Sequence, residues 1–425
     1  MKIMADARKL AVNALLKVET DGAYSNITLN NIFKQNDASS EEKALASAIF
    51  YGVLERRITL DYILSSCVRK PLAKTEPFTL TVLRSALYQI MYMAKIPDSA
   101  AVNEAVKLIK HSRESRNAGF VNAVLRAALR SEHKLPDGAS AKALSVRYSV
   151  AEWIAESLIS DYGAETAEML LRESLKPAPI TLRVNTLKTS VPALAKELES
   201  RGIPAAAGDI GGLLYLEKGM DIASSDLYKQ GFFHVQDAAS QKAVSVLAPK
   251  ADERLLDLCA APGGKSFTAA ELMENRGEVI SCDLYEQRVR LISESAARLG
   301  LSIIRTAVSD ASVYDPSFGE FDCVLCDVPC SGLGVMRRKP EIKYKYADGL
   351  DELAEIQYNI LCTAAKYLKK GGRLLYSTCT LRREENEGVV NRFLNEYNEY
   401  NKMYEYTFMP HIDKTDGFYC ALLGA

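Results

Sequence analysis

Apolar residues recur three and four positions apart from Ala5 to about Arg130, as in Ala11, Leu15 and Leu16 and again in Ile90, Met91, Met93 and Ala94. That spacing predicts amphipathic helices sharing one core. Proline is confined there to Pro71, Pro77 and Pro97, so an all-α bundle is expected. Ser39-Ser40-Glu41-Glu42 places a cap before acidic first-turn residues, and Pro97-Asp98-Ser99 opens a helix running through Ala100 to Lys110. A polar stretch with Pro and Gly, Glu132 to Ser140, interrupts the pattern and marks a linker.

After one more helical piece, Trp153 to Arg172, the period shortens. Ile180 to Asn185 and Gly212 to Glu217 predict strands, with a helix from Val191 to Arg201 between them, which makes a small α+β insert. From Phe232 onward short apolar runs alternate with helical segments. Strands are expected at Arg254–Leu258, Glu278–Cys282, Ile303–Val308, Phe321–Cys326 and Arg373–Ser377. Such alternation predicts a doubly wound, largely parallel α/β sheet, which binds ligands beyond the carboxyl ends of its strands.

Composition adds little except in its distribution. The 425 residues exceed one ordinary core, so two or three domains are expected. The net charge is −1, yet the first 135 residues hold 20 Lys and Arg against 13 Asp and Glu, an excess of +7, while the remainder carries −8. A basic first third points to a polyanion partner. Met1 to Leu16 mixes charges with short apolar pieces and predicts neither a signal peptide nor a membrane span, so a cytoplasmic protein is expected. Nine cysteines without regular spacing fit free thiols.

The chemistry-bearing motifs fall at expected strand ends. Cys259-Ala260-Ala261-Pro262-Gly263-Gly264-Lys265 links the first of these strands to a helix, and its glycines let a cofactor press against backbone. A phosphate-binding P-loop is excluded because Cys259 stands where that motif needs glycine. Asp283 follows the second strand, placed for ribose hydroxyls, and Asp310 follows the third, placed for an adenine amino group. Asp327-Val-Pro-Cys330 follows the fourth. Its carboxylate could meet the N3 edge of a cytosine, with burial raising its pKa so that it supplies a proton. Cys379 in Ser-Thr-Cys-Thr follows the fifth. A thiolate there can add to C6 of a pyrimidine and activate C5 toward a methyl donor, with Cys330 assisting release. Cys67, Cys282, Cys362 and Cys420 are expected to be small buried hydrophobes. Strand alternation separates Cys323 from Cys326, and the four histidines are scattered, so no metal is expected.

These residues resemble the RsmB (Sun, Fmu) type of RNA cytosine-5 methyltransferase from end to end. Ala101 to Leu108 and Asn117 to Arg126 are similar to the family's NusB-like helical domain, Leu182 to Lys188 to its amino-terminal catalytic-region motif, Val235 to Ser240 to the lead into its methyltransferase fold, and Thr415 to Tyr419 to its last strand motif. Three departures are small: Val328 for Ala, Thr380 for Ser, and Ser266-Phe267 for Thr-Thr. The resemblance implies a NusB-like RNA-binding domain over residues 1–134, a linker and α+β subdomain over 135–230, and a Rossmann-like methyltransferase domain over 231–425. It also implies S-adenosylmethionine held by Cys259 to Lys265, Asp283, Asp310 and Asp327, with Arg288 joining them. Cys379 is then the nucleophile and Cys330 the cysteine that assists release. The implied substrate is 16S rRNA or an early small-subunit particle, gripped in part by Arg183, Asn185 and Lys188, and the protein is expected to be a monomer. A tRNA cytosine-5 methyltransferase and a non-catalytic RNA-binding protein remain as alternatives.

Overall fold

A computed structural model describes residues 6–21 and 25–425. Met1 to Ala5, part of the segment in which no leader is expected, lies outside the described residues. The described residues form two compact units, those up to 176 with 336–346, and residues 177–335 with 347–425.

The first unit is helical, as the three-and-four spacing requires. Its helices are Ala7–Asp21, Ser25–Gln35, Ser40–Cys67, Pro77–Tyr92, Asp98–Lys110, Ala118–Arg130, Ala141–Tyr148 and Glu152–Glu173. The long Ser40–Cys67 helix starts at a reciprocal cap in which Ser39 Oγ accepts the Glu42 N–H and the Glu42 carboxylate accepts the Ser39 N–H. It buries Ile49, Phe50, Val53, Leu54 and Leu60 in the common core. The last helix breaks at Gly163, whose φ of 77° only glycine adopts readily.

Two features depart from the expected boundaries. Residues 135–176 belong with the bundle rather than with the α+β insert: Thr59 Oγ1 donates to the Val146 carbonyl at 2.6 Å and the Ile58 N–H to Ser149 Oγ at 2.9 Å. The bundle also recruits a distant strap, residues 336–346. Tyr344 there is half-buried, with its hydroxyl accepting the Arg57 N–H at 3.1 Å, donating to the Leu54 carbonyl and lying 3.0 Å from Ser149 Oγ. Helical periodicity predicts a helix's own face but not a partner some 290 residues away along the chain.

The second unit holds two sheets. Strands β1 (Ile180–Val184), β2 (Ala205–Ala207), β3 (Leu213–Leu216) and β4 (Phe233–Val235) form an antiparallel sheet in the order β2-β3-β1-β4, against which the Val191–Ser200 helix packs. Because β4 pairs with β1, the boundary expected at residue 231 falls inside this small sheet.

Strands β5 (Arg254–Asp257), β6 (Glu278–Asp283), β7 (Ile304–Val308), β8 (Phe321–Asp327), β9 (Leu368–Thr378), β10 (Asn401–Phe408) and β11 (Phe418–Gly424) form the second sheet, ordered β10-β11-β9-β8-β5-β6-β7. The five strands β9 to β7 are parallel, and β11 and β10 add an antiparallel edge. The chain runs outward from β5 to β7 and returns to β8 on the opposite side, which opens a crevice at the β5/β8 carboxyl ends. Central β8 reads Phe-Asp-Cys-Val-Leu-Cys-Asp and is buried almost throughout, as a parallel strand covered on both faces should be. Cys323 and Cys326 do lie on opposite faces of it, in separate core clusters. Among the described residues no group of three or more His, Cys, Asp or Glu side chains could hold a metal, and no helix is long and apolar enough to cross a membrane.

Tyr344→Phe removes the hydroxyl that meets the Arg57 N–H, the Leu54 carbonyl and Ser149 Oγ, so the folded state should lose about 1–3 kcal/mol. Urea unfolding of the full chain checks this. An unchanged midpoint would mean that the strap contributes nothing to the bundle.

Candidate active site

The Cys259–Gly263 loop turns from β5 into the Gly264–Leu272 helix through a cis Ala261–Pro262 bond. Gly263 has φ of 107°, and a Cβ there would stand 2.2 Å from the Phe267 ring, so no other residue fits. Arg288 ties this loop to the next strand end, with one guanidinium nitrogen on the Ala261 carbonyl at 3.1 Å and another 3.2 Å from the buried Asp283 carboxylate.

A cavity of about 130 Å³ opens at the loop, lined by Cys259 to Pro262, Gly264, Lys265 and Asp327, together with Gln236, Ser240 and Asp257. Asp283 ends β6 and Asp310 lies just beyond β7, so carboxylates stand at four consecutive strand ends, Asp327, Asp257, Asp283 and Asp310. Asp310 is exposed, and its Oδ1 accepts the Ser312 hydroxyl at 2.7 Å and N–H at 2.9 Å, bonds that lower its pKa.

Asp257 was missed by sequence reasoning, although its place at the end of β5 could have revealed it. One oxygen accepts Ser266 Oγ at 2.6 Å, and the other is buried without a hydrogen-bond partner at the cavity wall. Burial pushes this carboxyl up to about 7. Gln236 and Ser240 were quoted only as part of a motif, yet both face the cavity.

Lys265 is buried with its ammonium 2.6 Å from Asp327 Oδ2. Burial alone would lower its pKa, but the Asp327 and Asp257 carboxylates outweigh that and raise it. Asp327 Oδ1 in turn accepts Ser377 Oγ at 2.9 Å. The expectation that burial lets Asp327 supply a proton is therefore corrected: the carboxylate is part-exposed and carries a cation on one oxygen and a hydroxyl on the other.

Cys330 and Cys379 follow adjacent parallel strands, and their sulfurs are 3.3 Å apart. The hydrogen bond to Cys379, reinforced by burial, pushes the Cys330 thiol well above its ordinary value. The two sulfurs share this hydrogen bond, in which either can be the donor. Burial likewise pushes up Cys259 and Cys326, and takes Cys282, Cys323 and Cys420 to about 12, so none of these five is an activated nucleophile.

The three residues expected to grip RNA are placed otherwise. Arg183 is buried, with Nε on Glu271 Oε2 at 2.7 Å and another nitrogen on the Gly211 carbonyl at 2.6 Å. Asn185 is fully buried and donates to the Gly231 and Leu299 carbonyls. Both are corrected to structural roles. Lys188 is exposed, but its ammonium is held by the Gln230 and Arg298 carbonyls at 2.8 and 3.1 Å.

The residues present fit an aminoacyl nucleoside of the S-adenosylmethionine type. Backbone free of side chains at the glycines, an unpartnered buried Asp257 oxygen and a row of strand-end carboxylates suit its ammonium, ribose and base. Such a site on such a sheet defines a Rossmann-like methyltransferase.

Comparison narrows the class. A family model described as 16S rRNA methyltransferase RsmB/F matches residues 244–424, a NusB family model matches residues 5–130, and a ferredoxin-like domain model of RsmF/B-like methyltransferases matches residues 150–223. The chain is 40% identical to the probable ribosomal RNA small subunit methyltransferase B of Bacillus subtilis (strain 168), over 97% of each chain. It is 32% identical to ribosomal RNA small subunit methyltransferase B of Sodalis glossinidius, over 93% of this chain and 90% of the relative. The crystal structure of PH0851 matches all of both chains with a TM-score of 0.84 and 26% identity. The chain belongs to the RsmB family of S-adenosylmethionine-dependent methyltransferases.

Arg183→Ala should cost about 3–5 kcal/mol by stranding the buried Glu271 carboxylate. It should leave RNA affinity of the folded fraction unchanged, as urea unfolding and filter binding would show; lost affinity at full stability would restore the RNA role. For Asp257, the folded pKa of about 7 lies above the unfolded value near 3.9. Its protonated form therefore stabilises the fold fully below about pH 4, a contribution lost as pH rises toward 7. Asp257→Asn should flatten that decline, and chemical unfolding measured across pH 4 to 8 tests the sign.

Proposed function

We propose that this chain methylates C5 of one cytosine in 16S rRNA, through a covalent bond between Cys379 Sγ and C6 of the base. The names of the relatives support the substrate, and the 3.3 Å approach of two cysteines at adjacent strand ends carries the chemistry. S-adenosylmethionine supplies an electrophilic methyl group.

Each step uses residues already placed. The Cys379 thiolate adds to C6, and the ring electron pair moves to C5. Asp327, oriented by Lys265 and Ser377, meets the N3/N4 edge of the base, where its carboxylate accepts a hydrogen bond from the N4 amino group and stabilises the positive charge the edge gains when water protonates N3, a proton returned to water as the ring is restored. C5 takes the methyl group, then loses its proton to water. The returning electrons restore the C5–C6 double bond and break the C6–Sγ bond. Cys330, held as a thiol, donates its S–H to the departing Cys379 thiolate and so assists release. Both faces of the ring must be reachable, which favours an unstacked base.

Incubation with labelled methyl donor and separate pools of unmodified 16S rRNA, 23S rRNA and tRNA tests this. One 5-methylcytosine in 16S rRNA is expected, abolished by Cys379→Ala. Label in tRNA alone would overturn the substrate, and label on any other base would overturn the chemistry.

A further inference from the structure

Two adjacent residues outside the expected site, Glu385 and Asn386, lie fully buried beneath the cysteines. Each engages one of the two loops. Glu385 Oε2 accepts the N–H of Ser331, the residue after Cys330, at 2.8 Å, and the side-chain amide of Gln357 at 2.9 Å. The same Gln357 amide donates to the carbonyl of Pro329, the residue before Cys330, at 2.9 Å. Cys330 is therefore gripped on both sides.

Asn386 treats Cys379 the same way. Its Oδ1 accepts the Thr378 hydroxyl at 2.5 Å and its Nδ2 donates to the Thr380 carbonyl at 3.1 Å. The residues that follow the two cysteines also meet directly, Ser331 Oγ and Thr380 Oγ1 standing 2.7 Å apart. Tyr376 on β9 anchors the dipeptide by donating to the Glu385 carbonyl at 2.6 Å.

A buried carboxylate is costly to desolvate and stays only where donors converge on it. Here one donor is the Ser331 N–H of the loop carrying Cys330 and another is Gln357, whose amide also holds that loop at Pro329; the Arg382 guanidinium, from the segment after Cys379, lies 3.5 Å from the second oxygen, and the next side chain binds the loop carrying Cys379. We propose that Glu385 and Asn386 are positioning residues that set the Cys330–Cys379 spacing: consecutive in sequence, they lock the two loops to one another. For catalysis this rests on the two-cysteine reading above, because only a reaction using both sulfurs needs their separation fixed.

The test reads spacing and turnover separately. Phenylarsine oxide bridges two neighbouring thiols, forming two As–S bonds and releasing water, without involving RNA. Bridging would be titrated in the full chain, with Cys379→Ser as the reference for arsenical bound elsewhere. In parallel, kcat and KM would be measured on unmodified 16S rRNA. Asn386→Asp keeps the shape and the Thr378 acceptor but turns the Thr380 donor into a repelling oxygen. It should fold, as judged by circular dichroism, keep KM, lose kcat by about 100-fold as expected for a reacting group misplaced by an ångström, and bridge no better than Cys379→Ser. Glu385→Gln, whose amide oxygen can still accept from Ser331 and Gln357, should recover most of what Glu385→Ala loses in both readouts.

Wild-type bridging in a folded Asn386→Asp variant would overturn the proposal, whatever happens to kcat. So would equal bridging in Glu385→Gln and Glu385→Ala. Lost bridging with kcat intact would uphold the positioning role and contradict the two-cysteine reaction instead.

Discussion

Parallel pairing of β8 with β9 is the constraint on which the site depends. With Asp327 opposite Ser377, the two strands end level, and the loops that follow emerge side by side. Three residues past Asp327 comes Cys330, and two past Ser377 comes Cys379, so sulfurs 49 residues apart in sequence meet at 3.3 Å. A one-residue slip would turn every side chain of one strand to the other face and take the Ser377 hydroxyl from Asp327. The burial of β8 on both faces makes such a slip expensive.

Around that pairing the charges are arranged in a row. Lys265 reaches from the helix after the glycine turn to Asp327, three residues before Cys330, so the pair ties the glycine turn to the loop that carries one of the cysteines. Asp257 lies between, high in pKa and with one oxygen unpartnered. Low dielectric in such a place strengthens every interaction made there and penalises every one left unmade. Lys265 and Asp327 thus have their polar partners, while Asp257 leaves one oxygen for a polar ligand to meet.

Most of this was legible in the chain, for identifiable reasons. The helical bundle and the five parallel strands announce themselves by period, and the motif residues fall at strand ends because doubly wound sheets place ligands there. What escaped was set by distant partners or by weak local signal. Arg183 looks like a surface cation until Glu271, 88 residues on, is brought against it. β2 and β4 are only three residues long, and β10 is an edge strand whose side chains are mostly exposed, so none shows a buried alternation. Glu384-Glu385-Asn386-Glu387 resembles a solvated acidic turn, and nothing local marks the middle two as buried beneath two loops.

The most direct test of the central claim, that Cys379 bonds the base and Cys330 assists its release, is to look for the bond itself. Cys330→Ala protein would be incubated with methyl donor and unmodified 16S rRNA, separated by denaturing electrophoresis, and any shifted species digested and mapped by tandem mass spectrometry. A cytosine-derived adduct on Cys379 is the expected result. A variant that turns over at the wild-type rate without an adduct, or an adduct mapped to any other residue, would contradict the account.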